Sequence, residues 1–330
     1  MTKKFKWLFL LKTKVNEMLG IEYPIFCGTM MNISNPQFTA VCSNAGALGI
    51  LASAMYRKPK PLRKALQDLK DLTNNPFAVN LNLFPMLKPI RQIDLVKVMI
   101  EEGIKIIETS GHQAPEKYIP LFKKNDIIWI HKCAGIRYAK KAASLGADIV
   151  EVVGWENGGS VGRFDIGTLV LTPITVDALN IPVVAGGGIS DGRGIVAALS
   201  LGAEAALIGT RLLTTQECPI HEKLKQALLN ATAYDTTLVM RSLGAAHRVW
   251  NNQAAKRVLE LESSKSDQME IFNMAVGSKS KLMYEQGDLT AGIVSCGQGV
   301  GLIHNIPTVK ELIDQIIKEA TEIIQMLFNS

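Results

Sequence analysis

The chain has 330 residues, 47% hydrophobic and 20% charged, enough for one large buried core with room left for a small second unit. Its formal net charge of +6 is scattered among acids beyond the N-terminus, so the clustered basic face that a nucleic-acid partner needs is missing. The five cysteines (Cys27, Cys42, Cys133, Cys218, Cys296) are far apart and form no CxxC pair, which argues against a disulfide framework or a zinc site and fits a reducing cytoplasm.

The N-terminal segment MTKKFKWLFLLKTK carries five lysines around an apolar stretch of only five residues, Trp7 to Leu11. That stretch is too short to span a bilayer, so residues 1–20 read as a surface extension, with peripheral membrane contact as the lesser alternative. Eight strand-like runs follow: PIFCG (24–28), LGILAS (48–53), FAVNLNL (77–83), IKIIETS (104–110), DIIWIHK (126–132), DIVEVVG (148–154), PVVAGGG (182–188) and AALIGTR (205–211). Their β-branched content and lack of strict alternation suit strands covered on both faces. Helix signals fill the gaps, among them Asn35-Pro36, Asp191 and the Ala-Leu spacing of RGIVAALSLGA. Eight alternations predict an α/β fold, a closed TIM (β/α)8 barrel, with an open doubly wound sheet as the second choice.

After residue 212 the rhythm changes. Residues 217–300 are polar and mainly helical and read as a small cap inserted after strand eight, over the barrel mouth. The last run, PTVKELIDQIIKEATEIIQMLF, predicts an amphipathic helix against the wall. The expected division is thus 1–20 as extension, 21–216 with 301–330 as barrel, and 217–300 as cap.

In a parallel barrel the C-terminal strand ends converge on one face, and the loops after strands seven and eight are the habitual phosphate site. Three apolar runs in a row end in glycines: DIVEVVG before GWENGGSVG, PVVAGGG before ISDG, and AALIGTR. Glycine there lets a backbone approach a ligand and point its N–H groups at an anion. The converging set is rich in glycine and amide, poor in carboxylates and without metal-ligand spacing, so a non-metal site that binds a phosphate-bearing cofactor through backbone groups is expected. Of the adjacent His131 and Lys132 only one can face the mouth, and Lys132 is expected inward, with His131 under a neighbouring helix. His112, in the loop after strand four, is also on the mouth side. Glu156 either anchors the glycine loop or acts as a base.

The segments PIFCGTMMNISNPQFTAVCSNAGALGIL, FAVNLNL, GWENGGSVG, IPVVAGGGISDGRGIVAALSLGAEAALIGTRLL and CGQGVGLI together resemble the nitronate monooxygenase family, which includes FMN-dependent enoyl reductases and NAD(P)H:quinone reductases. The resemblance runs from about Pro24 to Ile303. It implies an FMN-containing barrel acting on a small molecule, with NAD(P)H as a possible electron donor and a homodimer as a possible assembly. Carried over, it places Gly28, Thr29 and Met30 along the flavin, Asn80 in hydrogen bond with it and Gly158 close to it. It also gives Gly187, Gly188, Gly209 and Thr210 the phosphate. Lys132 would stabilise reduced flavin, and RSLGAAHRVWNN would bring His247, Arg248 and Trp250 towards a substrate pocket. The family's motif AGGHxG carries a catalytic histidine, whereas Ser160 stands at that place here. Serine has no accessible pKa near neutrality, so removal of a carbon-bound proton is put in doubt, while oxidation of a preformed nitronate or hydride transfer is not. Ser160, His112 and Lys132 are therefore the catalytic candidates. A lyase using Lys132 as a Schiff base, and a flavin-binding protein without turnover, stand as alternatives.

Overall fold

A computed structural model describes residues 11–84, 90–111, 113–275 and 277–329. Eight parallel strands close on themselves: β1 (Ile25–Cys27), β2 (Leu48–Ala52), β3 (Phe77–Asn82), β4 (Ile106–Ser110), β5 (Ile128–Cys133), β6 (Ile149–Val153), β8 (Val183–Gly186) and β9 (Ala205–Ile208). β9 returns to β1 with Phe26 beside Leu207. Helices cover the outside, as the sequence predicts. The helix Pro36–Asn44 starts where the Asn35 side chain accepts from the Phe38 N–H at 2.9 Å, and Asp191 caps Gly192–Ser200 in the same manner.

Strand alternation separates two layers. Phe26, Leu48, Ile50, Ala78, Ile106, Ile130, Ile149, Val184 and Ala205 fill the lumen. Val79, Ile107, Trp129, Val150 and Val152 pack outward beneath the helices. The helix Lys14–Leu19 joins the inner layer, because Val15 and Leu19 close the barrel floor. Burying two such side chains contributes roughly 1.5–3 kcal/mol each. The expected surface extension therefore ends earlier than residue 20: Leu11 is 2% exposed, and Thr13 Oγ1 donates to the Glu204 carbonyl at 2.6 Å. Residues 1–10 lie outside the described residues.

The inserted segment is mainly helical, with helices at Glu222–Leu229, Gln253–Ser263, Gln268–Ala275 and Gly277–Gln286. It also contributes a hairpin, β10 (Thr236–Val239) with β11 (His247–Trp250), whose second strand pairs with β7 (Gly159–Ser160) from the loop after β6. Val239, Val249, Val258, Ile271 and Ile293 give this cap its own small core. Arg248 locks it down: its Nε donates to the Trp155 carbonyl at 3.0 Å, and the Arg241 and Arg248 guanidiniums lie 5.2 Å and 5.3 Å from the Trp155 ring centroid. The final helix, Val309–Asn329, buries Leu312, Ile313, Ile316, Ile317 and Ala320.

Candidate active site

A cavity of about 370 Å³ opens at the C-terminal ends of the strands, between the barrel and the cap. Its wall includes Gly28, Thr29 and Met30 after β1, Asn80 on β3, Lys132 on β5, Gly158 and Ser160 after β6, and Gly209 and Thr210 after β9. The sequence reading names all of these, and the barrel brings them together from five segments. Gly187 and Gly188 form the turn after β8 and stand outside the cavity wall. His112 lies outside the described residues.

The floor differs from the sequence reading. Glu108 and Glu151 are both 0% exposed and stand on interior-facing positions of β4 and β6, beside Lys132. Lys132 Nζ bonds Glu108 Oε1 at 2.6 Å, while Thr29 Oγ1 donates to Glu108 Oε2 at 2.8 Å and Asn80 Nδ2 reaches the same oxygen. Desolvation pushes the Glu108 carboxyl up, but the Lys132 charge and these hydrogen bonds outweigh it and hold it below the usual range. Lys132 is likewise raised, because Glu108 and Glu151 more than offset its own desolvation. Glu151 moves the other way: burial, and then the Glu108 charge, hold it well above the carboxylate range. No donor among the described residues reaches its oxygens. Burial and the neighbouring Glu108 charge therefore favour Glu151 as the neutral acid of the pair. The expectation of a carboxylate-poor site is thus corrected. The signal was present in IKIIETS and DIVEVVG, where a glutamate follows an isoleucine on the interior stripe of each run.

This arrangement also disposes of Lys132 as a Schiff-base nucleophile. A buried lysine reacts when its pKa falls, and here it rises. His131 points outward as expected, 1% exposed, with Nδ1 2.9 Å from Thr109 Oγ1; desolvation lowers its imidazole to about 4. Glu156 is committed to the loop, since both of its oxygens accept from Thr168, at 2.9 Å to 3.1 Å from the amide and 2.9 Å from the hydroxyl. Cys133 is a buried thiol pushed up to about 12 by desolvation and is unreactive.

The glycines divide into two kinds. A Cβ at Gly158 would stand 2.6 Å from the Gly297 nitrogen, so glycine there is required by the crossing of two backbones. Gly187 has φ +110°, and a Cβ on it would meet Thr168 Oγ1 at 2.6 Å. Gly209 is the opposite case: a Cβ there meets nothing within 4 Å, so it faces the open cavity. The Gly187 and Gly188 amides donate to no group among the described residues. Thr210 Oγ1 accepts from the Gly297 amide at 2.9 Å, which leaves its hydroxyl hydrogen to donate. Undonated amides, a free hydroxyl hydrogen and an unfilled space at the ends of the adjacent β8 and β9 are a donor set that fits a phosphate. No cluster of His, Cys, Asp and Glu among the described residues could hold a metal.

One neighbour of Ser160 was named in the sequence only as a pocket-shaping residue. In the β11–β7 ladder His247 is paired directly with Ser160, and its Nε2 lies 2.8 Å from Ser295 Oγ. Ser295 carries no recognisable motif; only the fold brings it here.

Comparison with known proteins agrees with this architecture. The family model described as nitronate monooxygenase matches residues 12–319. FabK from Thermotoga maritima superposes with a TM-score of 0.90 at 37% identity, covering 96% of this chain and 99% of that one. A (3aS,4S,5R,7aS)-5-hydroxy-7a-methyl-1-oxo-octahydro-1H-indene-4-carboxyl-CoA dehydrogenase from Rhodococcus jostii is 33% identical over 96% of this chain and 98% of its own. A probable nitronate monooxygenase from Staphylococcus aureus is 30% identical over 95% and 99%. With a closed parallel barrel, a cavity at its mouth and a family match over nearly its whole length, the chain belongs to the nitronate monooxygenase family of flavin-dependent oxidoreductases.

Proposed function

We propose that the chain is an FMN enzyme that oxidises nitronates or a closely related small anion, with the phosphate end of the cofactor at the Gly187–Gly188 and Gly209–Thr210 turns. The observation that carries this reading is the pairing of an anion-ready turn, with Gly209 open to the cavity, and a buried ammonium, Lys132, in the same mouth. When bound, FMN supplies the two-electron acceptance that neither lysine nor serine can provide. The backbone amides and Thr210 hold its phosphate. Lys132 supports negative charge at the mouth, and because Glu151 stays protonated the cluster beneath carries one positive and one negative charge. Ser160 orients substrate by hydrogen bonding. Asn80, tied to Glu108 and Ser110, presents a fixed amide to the cavity.

The likeness to FabK and to the CoA dehydrogenase favours a second reading, an NAD(P)H-dependent flavin reductase of the enoyl or quinone type. Anaerobic titration of the purified protein separates the two. A nitronate should bleach the flavin absorbance under the first reading, and NADH or NADPH under the second; no bleaching by any donor overturns both. Reconstitution of apoprotein with FMN and with FAD tests the cofactor, with FMN expected to bind preferentially. A cytoplasmic homodimer accompanies the proposal, and light scattering measures the assembly.

A further inference from the structure

We propose that His247, held by Ser295, is the group that removes a proton from carbon in this active site, acting on a carbon acid whose conjugate base is an oxyanion: a nitroalkane or an acyl thioester. The inference rests on the reading given under Proposed function, and it supplies the base that Ser160 lacks.

The geometry begins with register. His247 and Ser160 are directly opposed in an antiparallel pair. Opposed residues put their side chains on the same face with Cβ atoms roughly 4.5–5.5 Å apart. A histidine at 247 therefore presents its ring beside the place that residue 160 addresses, and both line the cavity. The ring is aimed: Nε2 is 2.8 Å from Ser295 Oγ, and Ser295 is on the cavity wall as well. If the Nε2–H donates to Ser295, Nδ1 keeps its lone pair. No group among the described residues bonds Nδ1.

Among the described residues, elimination points to the same one. Glu156 is spent on Thr168, Lys132 is a cation, and the Cys133 thiol is unreactive. Glu108 is saturated by Lys132, Thr29 and Asn80. His247 is neutral, because desolvation lowers it to about 4. Such a ring accepts a proton at a cost, and the oxyanion formed beside it offsets that cost by pairing with the new imidazolium.

The step balances within the site. The substrate C–H bond breaks and an Nδ1–H bond forms. The electron pair moves onto the nitro or carbonyl oxygen, and the imidazolium keeps its Nε2–H on Ser295. No oxidant takes part in this step.

Exchange of the α-hydrogen for deuterium reads it directly. Anaerobic holoenzyme in D₂O is mixed with nitroethane in one arm and butyryl-CoA in the other, and wash-in is followed by proton NMR. Wild type should exceed the buffer rate in one arm, which also identifies the carbon acid. His247→Gln should lose about 100-fold of that acceleration, in keeping with a general base. The far-UV circular dichroism of the variant should match wild type, so that the lost exchange is not a loss of fold. Equal exchange by the variant, or no acceleration by yellow wild-type protein in either arm, overturns the proposal. A colourless protein that binds no flavin overturns the underlying functional reading instead.

Discussion

The two halves of the barrel wall are built on different chemistry. On β3–β6 the upper lumen is polar: Asn80, Glu108, Ser110 and Lys132 are joined by hydrogen bonds, with the buried Glu151 beside them. On β8, β9 and β1 the same level holds the apolar Leu207 and strand ends that pass into glycine turns at Gly187, Gly188, Gly209 and Gly28. One half fixes charge with side chains, and the other leaves backbone exposed to receive it. The difference assigns labour: the glycine half suits a phosphate, and the charged half suits the redox end of a flavin and its substrate.

Breaking the charged half should have the largest effect. Lys132→Met leaves the Glu108 carboxylate buried without a cation, a loss of about 3–5 kcal/mol in urea denaturation of the apoprotein. Glu108→Gln should cost less, because Glu151 can then ionise and take over the ammonium. If Glu108→Gln is the more damaging of the two, Glu151 is not the reserve acid inferred here.

The pH dependence of stability sharpens the same point. Glu151 is protonated in the fold but ionised in the unfolded chain above its ordinary value near 4.5. The folded state therefore binds the extra proton, and its stability falls as pH rises from about 4.5 until Glu151 ionises in the fold. The slope is about 1.4 kcal/mol per pH unit. Gln cannot titrate. Glu151→Gln should match wild type near pH 4 and become progressively more stable than it toward neutrality, as followed by denaturation at a series of pH values. A difference that does not change with pH would mean that Glu151 is ionised in the fold.

How much of this was legible in the sequence follows from the same division. The eight strand runs, the inward Lys132 and the outward His131 were readable, because period-two alternation and β-branched composition are local properties. The glycine turns were readable as turns. The acid pair was not, because Glu108 and Glu151 sit deeper than the strand ends, and a lone glutamate in each run looks incidental until the barrel sets β4 and β6 on either side of the Lys132 strand. The His247–Ser160–Ser295 contact was out of reach for a stronger reason. It depends on a ladder between segments 87 residues apart, and no local pattern encodes that register.

The glycine half gives smaller effects, and these separate what the fold needs from what a ligand needs. Gly187→Ala forces a side chain onto φ +110° and against Thr168 Oγ1, so about 1–3 kcal/mol of stability should be lost whether or not a cofactor binds. Gly209→Ala meets no protein atom within 4 Å, and its stability should stay within about 0.5 kcal/mol of wild type. The new methyl group would nevertheless occupy the space opposite the phosphate donors. Fluorescence titration of apoprotein with FMN should therefore show binding at least about tenfold weaker, equivalent to about 1.4 kcal/mol. A weakened Gly187→Ala tells only that the turn is strained, whereas an unweakened Gly209→Ala would move the phosphate elsewhere in the mouth. Because Gly209→Ala changes the ligand's space and leaves the fold's contacts alone, the smallest perturbation to the protein is the most direct test of what the glycine half is for.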